Sequence, residues 1–198
     1  MAMVAVGGEP SRAEGGGVMR SGHWGKILGG VMWVLLMGGG AWARELSLEE
    51  LLRPRTAVVW AEGQRLGELM VGARAQLEFL LVDHPLVEAI YAENSSAPDW
   101  LRLHAQYAAS DALKGKTLLI VRYKALIPWT FHPEELSVGE YRISQKDILT
   151  RKEFVPTGDL PSGMRGDFAV AVPGVSKSIP EVTVAYGEWH ATLKIPGR

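Results

Sequence analysis

Residues 182–195 read VTVAYGEWHATLKI, and this stretch carries the clearest hairpin signal in the chain. Apolar side chains occupy every second position from Val182 to Tyr186, and the alternation resumes after the dipeptide Gly187-Glu188. Such alternation is typical of a strand that buries one face. A two-residue loop that begins with glycine suits a type II′ turn, whose twist matches that of the strands it joins. The stretch therefore predicts an antiparallel β-hairpin.

Strand signals of the same kind recur upstream of this hairpin. Residues 73–81 and 117–124 alternate clearly, so each should turn one apolar face toward a core. These faces comprise Ala73, Ala75, Leu77, Phe79 and Leu81 in the first strand and Leu119, Val121 and Tyr123 in the second. Shorter strands are expected at residues 56–60, 66–71, 138–143, 154–155 and 167–172. Many short strands with turn signals about every eight to twelve residues favour a β-sandwich.

One segment departs from the strand pattern. Ser96, Pro98 and Asp99 supply a capping hydroxyl, a first-turn proline and an acidic residue, which are signals for the start of a helix. Apolar residues then recur at near-helical spacing before Gly115, which provides a stop. These signals predict one α-helix over about 97–113, inserted into the sandwich and packed over one of its edges or ends.

The first 43 residues differ in composition from the rest of the chain. They hold 12 of the 23 glycines and only five of the charged side chains. A positively charged stretch precedes the apolar residues 27–37, and Ala41-Trp42-Ala43 matches the small-x-small pattern that a signal peptidase cleaves. This order predicts a signal peptide over 19–43, preceded by a disordered or misassigned extension over 1–18. The alternative is a retained anchor, although a spanning helix needs about 20 predominantly apolar residues.

Residues 44–198 are predicted to form a single domain with no membrane span after cleavage. A chain of this length can bury about 68–70% of its unfolded surface, which is enough for a core of its own. The complete lack of cysteine excludes disulfides, thiolate zinc sites, a cysteine nucleophile and a thioether lipid anchor. The formal net charge of -1 argues against nucleic acid as a partner, and the 47% hydrophobic content argues against disorder.

Three segments in the second half of the chain together form a pattern of strands and turns, and the last of these segments ends in Val-Pro. They are residues 131–136 (FHPEEL), 158–166 (GDLPSGMRG) and 168–173 (FAVAVP). In these segments, residues 117–195 resemble the exported immunoglobulin-like sandwich domains of bacteria, such as immunoprotective extracellular proteins. The resemblance implies an immunoglobulin-like β-sandwich that serves as a binding or structural module. It carries over no catalytic residue, and the inserted helix departs from the family's pattern.

The histidines after residue 43 form no sequence motif for metal binding or nucleophilic catalysis. None of them has the i,i+4 spacing with an intervening glutamate that a helical zinc site uses. They are His84, His104, His132 and His190. We therefore predict no metal site, no cofactor and no catalytic residue. The alternative is a periplasmic metal-dependent or hydrolase-type enzyme that assembles these histidines with acidic residues from distant strands.

Charged residues cluster at two places, and at each place the side chains could simply be solvated at the surface. Glu134 and Glu135 are adjacent in sequence, so their side chains should diverge into solvent. The basic cluster comprises Lys114, Lys116, Arg122 and Lys124. Because Arg122 and Lys124 would share one strand face, this cluster could contact an anionic polymer of the cell envelope, or it could be a solvated face.

Aromatic residues are the best candidates for a partner-binding surface. Two follow Pro128 and two belong to the final hairpin, and they are Trp129, Phe131, Tyr186 and Trp189. Trp129 could equally close one end of the sandwich core. The predicted function is that of a non-catalytic binding or structural module of the bacterial cell envelope. It would be periplasmic or extracellular after cleavage near Ala43, with an envelope protein or a glycan as its partner.

Overall fold

Strands dominate the fold. The computed structural model describes residues 47–173, 175 and 179–197, of which 43% are strand and 27% helical. All of them belong to one compact unit, Ala43–Arg198. The predicted extension over 1–18 and the predicted signal peptide over 19–43 lie outside the described residues. The mainly β class is confirmed. In the part of the chain that is described, no helix has the length and apolar character needed to cross a membrane.

Twelve strands and three α-helices occur among the described residues. The strands are β1 (Thr56–Ala61), β2 (Gln64–Leu66), β3 (Leu69–Val71), β4 (Ala75–Val82), β5 (Lys116–Ala125), β6 (Trp129–Phe131), β7 (Leu136–Val138), β8 (Tyr141–Arg142), β9 (Gly158–Leu160), β10 (Arg165–Pro173), β11 (Glu181–Tyr186) and β12 (Trp189–Lys194). The α-helices are α1 (Leu48–Leu52), α2 (His84–Tyr91) and α3 (Asp99–Ala105). Short 3-10 turns follow several of these elements.

Two four-stranded antiparallel sheets form the framework. The first sheet has the strand order β1-β4-β5-β10, and the second sheet has the order β12-β11-β7-β8. In the centre of the first sheet, β4 pairs with β5 from Ala75 opposite Ala125 to Val82 opposite Leu118. Strands β2 and β3 form a separate hairpin, and β6 pairs with β9.

One core lies between the two sheets. It takes buried side chains from all four strands of the first sheet and from β7, β11 and β12 of the second. The faces predicted from alternation are confirmed, because this core contains Ala75, Leu77, Phe79, Leu81, Leu119, Val121 and Tyr123. Ala73 precedes β4 and is half-buried.

A second core lies on the opposite face of the first sheet. Here Leu80, Val82 and Ile120 of the sheet pack against Leu86 of α2 and Leu101 of α3. Because the first sheet is covered on both faces, the strict alternation at the start of β4 gives way to a continuous buried run at its end.

The helix predicted over 97–113 is found in this region, but it is divided. α3 ends at Ala105, and two 3-10 turns follow, separated by Ser110 in an extended conformation. The Ser110 hydroxyl accepts a hydrogen bond from the Ala112 N–H at 3.2 Å, and such local bonds compete with helix continuation. α2 and α3 cover a face of the first sheet, which corrects the expected packing over an edge or end. The described residues contain three α-helices where the sequence predicts one inserted helix.

The final hairpin is confirmed, with Tyr186 opposite Trp189. Gly187 has a φ of 57°, the positive value that a type II′ turn requires at its first loop residue. Glycines with positive φ also divide two predicted strands into hairpins, at Gly67 between β2 and β3 and at Gly139 between β7 and β8. The strand predicted at 154–155 is wrong, because Phe154 ends a 3-10 turn.

Candidate functional site

Three of the four aromatic residues predicted to bind a partner lie in the core between the sheets. Trp129, Phe131 and Tyr186 are each at most 5% exposed, and the ring centroids of Phe131 and Tyr186 lie 5.6 Å apart. These three side chains therefore fill the core and have almost no surface to offer a partner. Trp189 is half-buried and stacks on Tyr186, with 6.4 Å between ring centroids. Of the four, Trp189 alone has a face available to a ligand.

Tyr186 connects the core to the surface beside Trp189. The backbone N–H of His132 donates a hydrogen bond to the Tyr186 hydroxyl at 3.1 Å, and the hydroxyl donates to the Thr130 carbonyl at 3.4 Å. Burial raises the pKa of Tyr186, and the nearby charges of Glu135 and Glu134 raise it further. The Tyr186 hydroxyl therefore stays neutral well into the alkaline range, while the Tyr186 ring stacks against Trp189.

Trp189 lines an open groove at one end of the second sheet. The groove has a volume of about 640 Å³. Its charged and aromatic lining consists of Glu134, Glu135, Glu140, Arg142, Glu188 and Trp189. We call this feature the acidic groove, because four carboxylates face one guanidinium across it.

Two turns bring the lining of the acidic groove together. The N–H of Gly187 donates to the carbonyl of Glu135 at 3.0 Å, which joins the β11–β12 turn to the 3-10 turn Pro133–Glu135. A Cβ on residue 187 would lie 3.4 Å from the Trp189 ring and 3.5 Å from a Glu135 carboxylate oxygen. The glycine thus permits the positive φ of the turn and leaves both groups open to the same ligand.

The acidic groove carries carboxylates that the fold does not neutralise. Glu134 and Glu135 are both exposed, as the sequence predicts, and both contribute to the lining of the groove. Glu134 lies 3.6 Å from the His132 imidazole. The side chains of Glu140, Glu188 and Arg142 make no hydrogen bond or ion pair with the described residues. A surplus of negative charge therefore surrounds the exposed face of an indole ring.

A second polar site lies on the helix-covered face of the first sheet. Glu78, Arg122 and Asp167 occupy directly opposite positions on β4, β5 and β10, and we call these three residues the polar row. Arg122 donates from Nη1 to Glu78 Oε2 at 2.9 Å. Its guanidinium carbon lies 4.2 Å from the centroid of the Trp100 ring, which α3 places above it.

α3 also places His104 against the polar row. His104 Nε2 lies 2.6 Å from Asp167 Oδ1, and the side chain is 3% exposed. The ring of Tyr107 stacks beside it, with 6.4 Å between centroids. His104 Nδ1 is buried and has no hydrogen-bond partner among the described residues. A catalytic triad also needs a hydroxyl or thiol beside the free imidazole nitrogen, here His104 Nδ1. His104 and Asp167 therefore match only the imidazole and the carboxylate of such a triad.

Three further side chains lie next to the polar row on the same face. Gln76, Lys124 and Arg165 are two residues away along β4, β5 and β10, and they too are directly opposite one another. Together with the polar row they line a small pocket of about 130 Å³, which we call the basic pocket. Arg122 and Lys124 share this face as the sequence predicts. Arg165 and Gln76 could not be assigned to it from sequence, because strand pairing brings them there from distant positions.

The remaining candidate residues lie apart from both sites. Lys114 and Lys116 of the predicted basic cluster are paired with Asp111 at 3.0 Å and with Asp147 at 3.6 Å. His84 pairs with Glu88 at 3.3 Å on the surface, and His190 is exposed. Across residues 47–173, 175 and 179–197, no group of three or more histidine or acidic side chains could hold a metal ion.

Comparison of the chain with protein-family models, with curated proteins and with solved structures finds no match. Function is therefore inferred from the chemistry of the acidic groove and of the basic pocket. Both are built from strands and turns of the described residues.

Proposed function

We propose that this protein is an exported, non-catalytic binding module of the cell envelope, and that its acidic groove receives a positively charged segment of a partner protein. The observation that carries the proposal is that the half-buried Trp189 and four glutamates line one open groove. An indole ring attracts a cation over its face, and carboxylates accept the hydrogen bonds of an ammonium or guanidinium group. Lysine and arginine side chains satisfy both requirements.

The shape of the groove supports a peptide segment as its ligand. The groove is an open channel of about 640 Å³, within the range of sites that hold several side chains or a small molecule. A neutral glycan could stack on Trp189, but it would gain little from the surrounding negative charge. Glu140 and Glu188, which have no ion-pair partner among the described residues, therefore favour a basic protein segment over a glycan.

The proposal also covers the fold of the protein and its export from the cytoplasm. The two antiparallel sheets that enclose one core support an immunoglobulin-like sandwich as the scaffold. The charged, apolar and small-x-small order of residues 19–43 supports export. Export can be tested by isolating the protein from its native cells and sequencing its N-terminus, which we expect to begin near Arg44.

The groove is tested by titrating the purified full chain with a short peptide rich in lysine and arginine, using isothermal titration calorimetry. Glu140→Gln combined with Glu188→Gln should weaken binding roughly threefold to tenfold, as expected for two exposed charge pairs. Added salt should weaken binding by the wild type more than by this double variant. The matched control is Glu181→Gln, an exposed glutamate on the far end of β11. Equal affinities for all three proteins, or affinity that salt does not change, would contradict the proposal.

A further inference from the structure

We propose that the basic pocket is a second binding site, which takes a phosphate group. This site lies on the first sheet and does not depend on the function of the acidic groove. The proposal rests on two observations: a pair of cations without an ion-pair partner among the described residues, and a pocket smaller than the sites of whole organic ligands.

The unneutralised cations are Lys124 and Arg165. They are directly opposite each other on β5 and β10, and both are exposed. Neither side chain makes a hydrogen bond or ion pair with the described residues. Like charges directly opposite on paired strands destabilise a sheet. An anion held between the two side chains would turn this repulsion into attraction.

The carboxylates of the pocket are already engaged and do not neutralise this pair. Glu78 accepts hydrogen bonds on both oxygens, from Arg122 at 2.9 Å and from Gln76 at 3.0 Å. Asp167 is held by His104 at 2.6 Å. These contacts engage both carboxylates of the polar row, and neither carboxylate forms an ion pair with Lys124 or Arg165.

Arg122 is the third cation in the lining of the basic pocket, but the fold already engages its guanidinium group. Its Nη1 is used by Glu78 and its plane is covered by Trp100, but its Nε is buried without a hydrogen-bond partner among the described residues. Because this Nε is not accessible from the pocket, the donors that can reach an anion bound there are those of Lys124 and Arg165.

The dimensions and the donor set favour phosphate over a larger ligand. At about 130 Å³ the pocket is smaller than the sites of whole organic ligands, so it suits one charged group. Cationic donors reach it from β5 and β10, while a planar carboxylate offers acceptors in one plane only. Tetrahedral phosphate offers oxygens in several directions, and lysine and arginine together are its usual partners in proteins.

The test measures the thermal unfolding midpoint of the full chain with added inorganic phosphate, at an ionic strength held constant with chloride. We expect phosphate to raise the midpoint of the wild type. Lys124→Gln and Arg165→Gln, on separate strands, should each weaken phosphate binding at least about tenfold, as for loss of one charge-assisted contact. Lys194→Gln, an exposed lysine on β12, is the matched control and should bind like the wild type.

The thermal unfolding midpoint without phosphate shows whether Lys124 and Arg165 serve a ligand or only stabilise the fold. Each of the two variants removes a like-charge contact, so neither should unfold at a lower temperature than the wild type when phosphate is absent. The proposal is overturned if phosphate does not raise the wild-type midpoint, or if it raises all four midpoints equally. A lower midpoint for both variants without phosphate would likewise overturn it, since the two cations would then be structural.

Two further ligands identify the source of the phosphate group. A stronger effect of glycerol 3-phosphate than of inorganic phosphate supports a phosphate ester as the ligand, and the reverse order supports the free ion. Acetate at the same concentration should have no effect. An acetate effect as large as that of phosphate would overturn the assignment to phosphate.

Discussion

At the scale of single residues, the buried carboxylate of Asp147 shows how hydrogen bonds stabilise a charge inside this fold. Asp147 is 1% exposed and accepts bonds from the Tyr141 hydroxyl at 2.8 Å, the Ser144 hydroxyl at 2.6 Å and the Ser144 N–H at 3.0 Å. Burial acts to raise the pKa of Asp147, but these hydrogen bonds and the charge of Lys116 outweigh it and lower the pKa below its usual value.

Asp147→Asn should therefore destabilise the protein in a pH-dependent way. A carboxyl whose pKa is lowered by folding stabilises the folded state above the pKa it has when unfolded, and this contribution is lost as the pH falls through the folded pKa. At pH 7 we expect a loss of about 1–3 kcal/mol, the cost of leaving buried donors unpaired. Urea unfolding at pH 7 and at pH 3 should show the gap between variant and wild type narrowing at the lower pH.

The control for this prediction is Asp159→Asn. Asp159 is exposed and accepts one bond from Thr130 at 2.7 Å, so its replacement should change the free energy of unfolding by less than about 0.5 kcal/mol. A deficit for Asp147→Asn that is as large at pH 3 as at pH 7 would show that its charge plays no part.

At the scale of elements, one carboxylate joins three segments. Asp83 follows β4 and caps α2 by accepting a bond from the Leu86 N–H at 3.1 Å. The same carboxylate receives two parallel bonds of 2.9 Å from Arg55, which is 5% exposed. Arg55 also donates to the Leu51 carbonyl in α1 at 2.8 Å. This ion pair therefore ties α1 and α2 to the end of β4, in addition to the apolar contacts of the second core.

Asp83→Ala should be among the most destabilising single changes in the chain. It leaves a buried guanidinium without its partner, which costs about 3–5 kcal/mol. Asp83→Asn can still cap α2 and should cost less. Chemical denaturation of both variants, of Arg55→Met and of Asp83→Ala combined with Arg55→Met would measure this. We expect the double variant to lose less than the sum of the two single losses, because no unpaired charge remains.

The exposed pair of His84 and Glu88 on α2 is the matched comparison. Their side chains lie 3.3 Å apart and are more than two thirds exposed, so Glu88→Ala should cost less than about 1 kcal/mol. Strict additivity of the Asp83 and Arg55 variants would contradict the coupling proposed for the buried pair.

At the scale of the whole molecule, the first sheet separates two cores. One core lies between the sheets and the other lies under α2 and α3, and β4 and β5 contribute side chains to both. Neither core can open without exposing one face of these two strands. Hairpin β2–β3, by contrast, is largely exposed, including Leu66 at 62% and Leu69 at 70%.

Native-state hydrogen exchange should reflect this arrangement. We expect the slowest amide exchange in β4 and β5, with opening free energies near the global value, and fast exchange in β2 and β3. The outer hairpin β11–β12, which belongs to one core only, should be intermediate. Slower exchange in β11 and β12 than in β4 and β5 would show that the second sheet, and not the first, is the most stable part.

Local signals predict some of these elements well and others poorly. The final hairpin is predictable because alternation and a glycine-first loop act within a few residues of each other. The helix at 97–113 is predicted as continuous because apolar spacing extends across Ser110, while the actual chain takes an extended conformation there. Helix α2 has no clear signal in the sequence, since its apolar residues follow a strand without a change in composition.

The candidate sites likewise combine features that the sequence predicts with features that only the structure shows. The sequence by itself determined the β class, the faces of the long strands, and the shared face of Arg122 and Lys124, because these depend on periodicity along one strand. Only the tertiary structure decided that Trp129, Phe131 and Tyr186 are core residues and that Trp189 is at the surface. It alone brought Arg165 opposite Lys124, and the four glutamates to one groove. Burial and cross-strand pairing join residues that are far apart in sequence, so no local pattern encodes them.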